Sequence, residues 1–73
     1  MTPDKIKKDF GDFIKNERDR QGLAQWQIAD KVGISQVQLC HIENGNRRLD
    51  LPLALAICKV LRLDIRTFLD KYV

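Results

Sequence analysis

Four interruptions decide what this chain can fold into. Gly22 ends a first segment, Gly33 a second and the Asn44-Gly45-Asn46 cluster a third, while Asp64 stands where it would cap a fifth. Between them the apolar residues recur at helical spacing. Ile6, Phe10, Phe13 and Ile14 stand at i, i+4, i+7 and i+8, with mostly Lys, Asp, Asn and Glu between them. Ile28, Ala29 and Val32 make one side of a short second helix, and Leu39 and Ile42 one side of a third that Ser35 would cap. Asp50 followed by Pro52 reads as the start of a fourth helix carrying Leu53, Ile57, Val60 and Leu61. Ile65, Phe68, Leu69, Tyr72 and Val73 make a fifth apolar stripe. No window alternates with period two, so the spacing predicts a compact all-α fold of five helices and no strand.

Size limits what these helices can do. Seventy-three residues make one domain, residues 1–73, and a chain this short buries only ~60% of the surface it exposes when unfolded. Apolar residues at 44% suffice for one small core. The longest apolar run, Leu51 to Cys58, is eight residues and contains Pro52, whereas a membrane span needs about 20. Met1-Thr2-Pro3-Asp4-Lys5 leads into a charged segment without an apolar leader, which predicts a small protein, complete in itself, that stays in the cytoplasm. Cys40, Cys58 and the single histidine, His41, lack the spacing of a zinc site, so no metal or other cofactor is expected and the cysteines read as reduced thiols. With so little nucleophilic or acid–base material, the chain is not read as an enzyme. The net charge of +3 permits an anionic partner without demanding one.

Residues 25–44 form a twenty-residue unit with Ala29 fifth, Gly33 ninth, Leu39 fifteenth and Ile42 eighteenth. A small residue where two short helices pass, a glycine at the turn and apolar residues pointing back from the second helix describe two helices crossing steeply. Gln36, Val37, Gln38, Cys40 and His41 are left outward on the second of them. Amides and imidazole can read base edges in a major groove, so Gln36, Val37, Gln38 and His41 are the candidate base readers.

The segments Leu23–Gln36 and Leu39–Arg47, with Arg18 before them and Leu55, Val60-Leu61, Ile65 and Phe68-Leu69 after, resemble the Cro/lambda-repressor-like helix-turn-helix regulators over about residues 8–70. The Ile42-Glu43-Asn44-Gly45 block at its offset from Gly33 makes the resemblance specific. It implies a five-helix fold and a bacterial or phage transcriptional regulator, acting in the cytoplasm at the nucleoid and binding double-stranded DNA as a dimer. It further implies that Gln25 and Asn44 contact phosphate, that Arg47 and Arg48 clamp the backbone, and that Arg18 and Glu43 form a partly buried ion pair. Three residues depart from the family pattern. Ala24 stands where a capping Ser or Thr is usual, Arg62 where a glycine usually follows helix 4, and Trp26 where a small or acidic residue is usual.

One short helix grips too few base pairs to find a site in a genome, which predicts a homodimer. With Ile65 and Phe68 filling the core, Leu69, Tyr72 and Val73 are the expected contact. The function read from the chain is a sequence-specific regulator, a repressor on a palindromic operator. An antitoxin paired with a toxin, and a protein-interaction module that has lost DNA binding, stand as alternatives.

Overall fold

The computed structural model describes residues 2–46 and 50–72. Five α-helices follow one another: α1 Pro3–Arg20, α2 Gln25–Val32, α3 Gln36–Glu43, α4 Leu51–Leu61 and α5 Ile65–Leu69, closed by a 3-10 turn, Asp70–Tyr72. No strand occurs among the described residues, and none of their helices is long and apolar enough to cross a membrane.

Local chemistry sets most of the boundaries. The Thr2 hydroxyl accepts from the Lys5 amide at 3.2 Å, and Pro3 sits at the first helical position, where its missing N–H costs nothing. Asp50 and Asp64 cap α4 and α5 through bonds of 2.9 Å each from the Leu53 and Arg66 amides. Ser35 and Gln38 cap α3 reciprocally: the Gln38 amide donates to Ser35 Oγ at 3.0 Å, and Gln38 Oε1 accepts from the Ser35 amide at 2.8 Å. Ala24 has no acceptor to offer α2, yet Gln27 Oε1 still takes the Ala24 amide at 2.8 Å, so half of the same device survives. At the other end of α2, Gly33 adopts φ 87°, and its N–H and that of Ile34 both return to the Ala29 carbonyl. Arg62 ends α4 at φ 59°, ψ 37°, in the left-handed region without the glycine that usually makes this cheap.

The core draws on all five helices. Phe10 and Ile14 come from α1, Ile28 and Ala29 from α2, and Leu39 and Ile42 from α3; Ala54, Ile57, Cys58 and Leu61 come from α4, and Phe68 from α5. The Phe68 ring meets Phe10 edge-on with centroids 5.4 Å apart, and Tyr72 packs against the same ring, also at 5.4 Å. A radius of gyration of 11.2 Å equals the value of about 11 Å expected for one compact body of this length, so α5 is folded in rather than trailing.

α1 and α3 approach unusually closely. A Cβ on Gly11 would lie 2.5 Å from the backbone oxygens of both Ile42 and Glu43. Only a residue without a side chain lets the middle of α1 rest on the last turn of α3.

Candidate nucleic-acid interface

α3 has only eight residues, so its setting comes from what it buries. Leu39, Ile42 and Glu43 are buried, while Gln36, Val37 and His41 are exposed, as is Asn44 at the helix end; Cys40 is half-buried. At 3.6 residues per turn, positions 36, 37, 40, 41 and 44 share one side. That side meets solvent.

Gln38 does not join it. Grouped above with the outward readers, it is half-buried, and its carbonyl oxygen is committed to the Ser35 amide. The Ser35-x-x-Gln38 spacing carried this signal, because a Gln three residues after a capping Ser turns back onto the helix start.

Beneath the outward side lies a buried ion pair. Arg18 donates to Glu43 through Nε to Oε2 at 2.7 Å and Nη2 to Oε1 at 3.0 Å, a two-pronged match of guanidinium and carboxylate. The side chains are 11% and 2% exposed, so both charges are nearly dry. The hydrogen bonding to Glu43 holds the Arg18 pKa above its ordinary value. Arg18 Nη1 reaches the Leu23 carbonyl at 2.8 Å, and Gln25 Nε2 donates to Glu43 Oε1 at 3.1 Å. One carboxylate therefore ties α1, the loop after it and the start of α2 to the end of α3. No buried side-chain nitrogen or oxygen among the described residues lacks a partner. Gln25, expected at a phosphate, spends one amide hydrogen on Glu43 and keeps the other.

Charge is distributed unevenly. Lys5, Lys7, Lys8 and Arg20 on α1 pair with Asp9, Asp4, Asp12 and Glu17, so this helix largely neutralises itself. The bond from Arg20 holds the Glu17 carboxyl down at about 2. Asn44 closes α3, with its Nδ2 3.5 Å from Cys40 Sγ. Arg47, Arg48 and Val73, read above as backbone clamps and dimer contact, lie outside the described residues.

At the far end of the chain the expectation for Tyr72 needs correction. Its hydroxyl donates to Asp9 Oδ2 at 2.5 Å and its ring lies on Phe68, so it straps the C-terminal turn to α1 instead of standing out as apolar surface. Leu69 is 45% exposed, and it has company that the sequence reading missed: Leu51 at 65% and Leu55 at 45%. Leu51 and Leu69 line a shallow cleft with Ile6, Phe10, Ala54, Ile65 and Phe68, while Leu55 is exposed elsewhere on α4. The available signal was that Leu51 to Cys58 is apolar nearly all round, more than one buried stripe uses. Trp26 is exposed too and walls a separate groove with Leu23 and Val60. Cys40 and Cys58 are free thiols, and burial raises the pKa of Cys58. No group of three or more His, Cys, Asp or Glu side chains among the described residues is placed to hold a metal ion.

A family model described as helix-turn-helix matches residues 14–68. A search of curated proteins finds no match. The matched stretch runs from Ile14 in the core to Phe68 in the core and takes in the ion pair, the C-terminal part of α1 and the outward side of α3. By this match the chain belongs to the Cro/C1-type helix-turn-helix family of DNA-binding regulatory domains.

Proposed function

We propose that the chain is a transcriptional repressor that binds a palindromic operator as a homodimer, with α3 of each copy in the major groove. One observation carries the reading. Gln36, Val37 and His41 stand exposed on one side of a helix whose opposite side is fixed by Leu39, Ile42 and the Glu43 ion pair. An amide and an imidazole so presented supply the donors and acceptors that distinguish base pairs. Gln25, Asn44, Arg47 and Arg48 supply contacts to phosphate, which set register and salt-sensitive affinity without choosing sequence. The self-neutralised surface of α1 supports leaving that work to the residues around α3.

Dimerisation is assigned to the leucine cleft, where Leu51 joins Leu69 and leaves Tyr72 to its bond with Asp9. A self-complementary patch gives a two-fold interface, and two recognition helices about 34 Å apart match one turn of DNA. The test is selection of bound duplexes from a random pool. A palindromic consensus is expected, and recovery of random sequence would refute the reading. Sedimentation at micromolar concentration tests assembly, with Leu51→Asp and Leu69→Asp together expected to give a monomer.

A further inference from the structure

Val37 is an odd residue to leave in water. It is 64% exposed in the first turn of α3, it is absent from the core and from the apolar groups packed on the core, and as a β-branched residue it favours the helix less than alanine would. The monomer gains nothing from it. With Gln38 withdrawn to the cap, the outward side chains of this first turn are Gln36 and Val37. The turn that enters the groove first therefore pairs one amide with one branched hydrocarbon.

A hydrocarbon can read only one feature of a base edge. The major-groove edges offer ring nitrogens, carbonyl oxygens, amino groups and a single apolar group, the methyl on C5 of a pyrimidine. Pressed against any of the polar atoms, valine would strip their water and return no hydrogen bond. Pressed against the methyl, it buries apolar surface on both partners. We infer that Val37 selects a 5-methylpyrimidine in each half-site: thymine in unmodified DNA, with 5-methylcytosine offering the same group. The inference rests on α3 being the DNA reader and adds which base chemistry one of its residues requires.

The test uses the duplex selected by the wild-type protein. Each thymine is replaced singly by deoxyuridine, which removes the methyl and keeps the base pair and its O4 acceptor. At one position per half-site the replacement should weaken binding about fourfold, the effect of one buried methyl-sized group. The penalty should persist in Val37→Ile and fall below about twofold in Val37→Ser, whose hydroxyl accepts more than one base edge. Because the side chain is so exposed, both variants should keep the wild-type thermal midpoint. A parallel series methylates each cytosine at C5; a gain there that depends on Val37 assigns the contact to 5-methylcytosine. The inference is overturned if no removal or addition of a methyl changes wild-type affinity by twofold, or if the penalty survives undiminished in Val37→Ser. A wild-type protein that selects no duplex overturns instead the DNA-reading assignment beneath it.

Discussion

Replacing Gly11 by alanine sets two effects of opposite sign against each other, and the geometry decides between them. Gly11 lies in the middle of α1, where alanine would ordinarily strengthen a helix by about 0.8–1.0 kcal/mol. Here the new methyl would meet the backbone oxygens of Ile42 and Glu43 at 2.5 Å and the Glu43 carbonyl carbon at 2.9 Å. Ordinary contacts lie near roughly 3.5 Å, so the overlap approaches 1 Å against two atoms at once. Neither can rotate away, because both are main chain in the last turn of α3, and Glu43 is also held by Arg18. Overpacking of this kind costs about 1–3 kcal/mol, and rigid backbone places it at the upper end. Net of the helix gain, we expect a loss of about 2 kcal/mol, which lowers the thermal midpoint of so small a domain by roughly 8–16 °C. Urea denaturation followed by helical circular dichroism measures it, with Asn16→Ala, exposed on the same helix, as the control expected to gain a few tenths. A Gly11→Ala protein as stable as wild type would show that α1 and α3 are not in close contact at this point.

Arg18→Ala or Glu43→Ala should each cost about 3–5 kcal/mol in urea denaturation by stranding a buried charge, and Arg18→Met with Glu43→Leu together should be more stable than either. Arg62→Gly should raise the urea midpoint, worth about 0.5–1 kcal/mol, because it removes a left-handed cost from a side chain without polar partners among the described residues. Tyr72, the only tyrosine, has its pKa pushed up to about 12 by its bond to Asp9, so phenolate absorbance should titrate there in the native state and near the ordinary 10.0 in denaturant. The sign follows: a raised native pKa means that this bond's stabilisation is complete below the ordinary value and is lost as pH climbs from 10.0 toward about 12, whereas the lowered pKa of Asp9 makes the same bond fail on the acid side. On a selected operator, Gln36→Ala or His41→Ala should relax base preference at particular positions by about 1–3 kcal/mol, while Arg47→Ala should weaken all sequences and flatten the salt slope by roughly 2 per dimer.

What was legible in the sequence was what local chemistry controls. Ser35, Asp50 and Asp64 cap where they were expected to, and Gly33 takes the left-handed turn, because a cap or a turn involves residues only two to four positions apart. What stayed hidden involves partners distant in the chain. Gly11 looked like a minor weakness in a helix until α3 was seen lying against it, and Tyr72 looked like spare apolar surface until Asp9, sixty-three positions away, was found at its hydroxyl. Leu51 and Leu55 were hidden for another reason. A helix apolar on every side does not announce which side the core will take, and only packing against α1 and α2 left these two outside.

The distribution of α3's residues explains why a buried charge pair belongs at its end. Apolar contacts from Leu39 and Ile42 hold the helix down, yet such contacts change little when a cylinder rolls a few degrees on its axis. A two-pronged ion pair does not tolerate rolling, since both bonds, at 2.7 and 3.0 Å, require the carboxylate and the guanidinium to lie edge to edge in nearly one plane. Arg18 is in turn fixed by the Leu23 carbonyl, so the reference for α3's rotation is the body of the domain. On the proposed reading of α3, base choice would depend on rotation, because rolling the helix would move Gln36, Val37 and His41 together relative to a groove edge. The pair's contribution is therefore orientation as much as stability, and a swap to apolar residues that restores folding should still blur the choice of base.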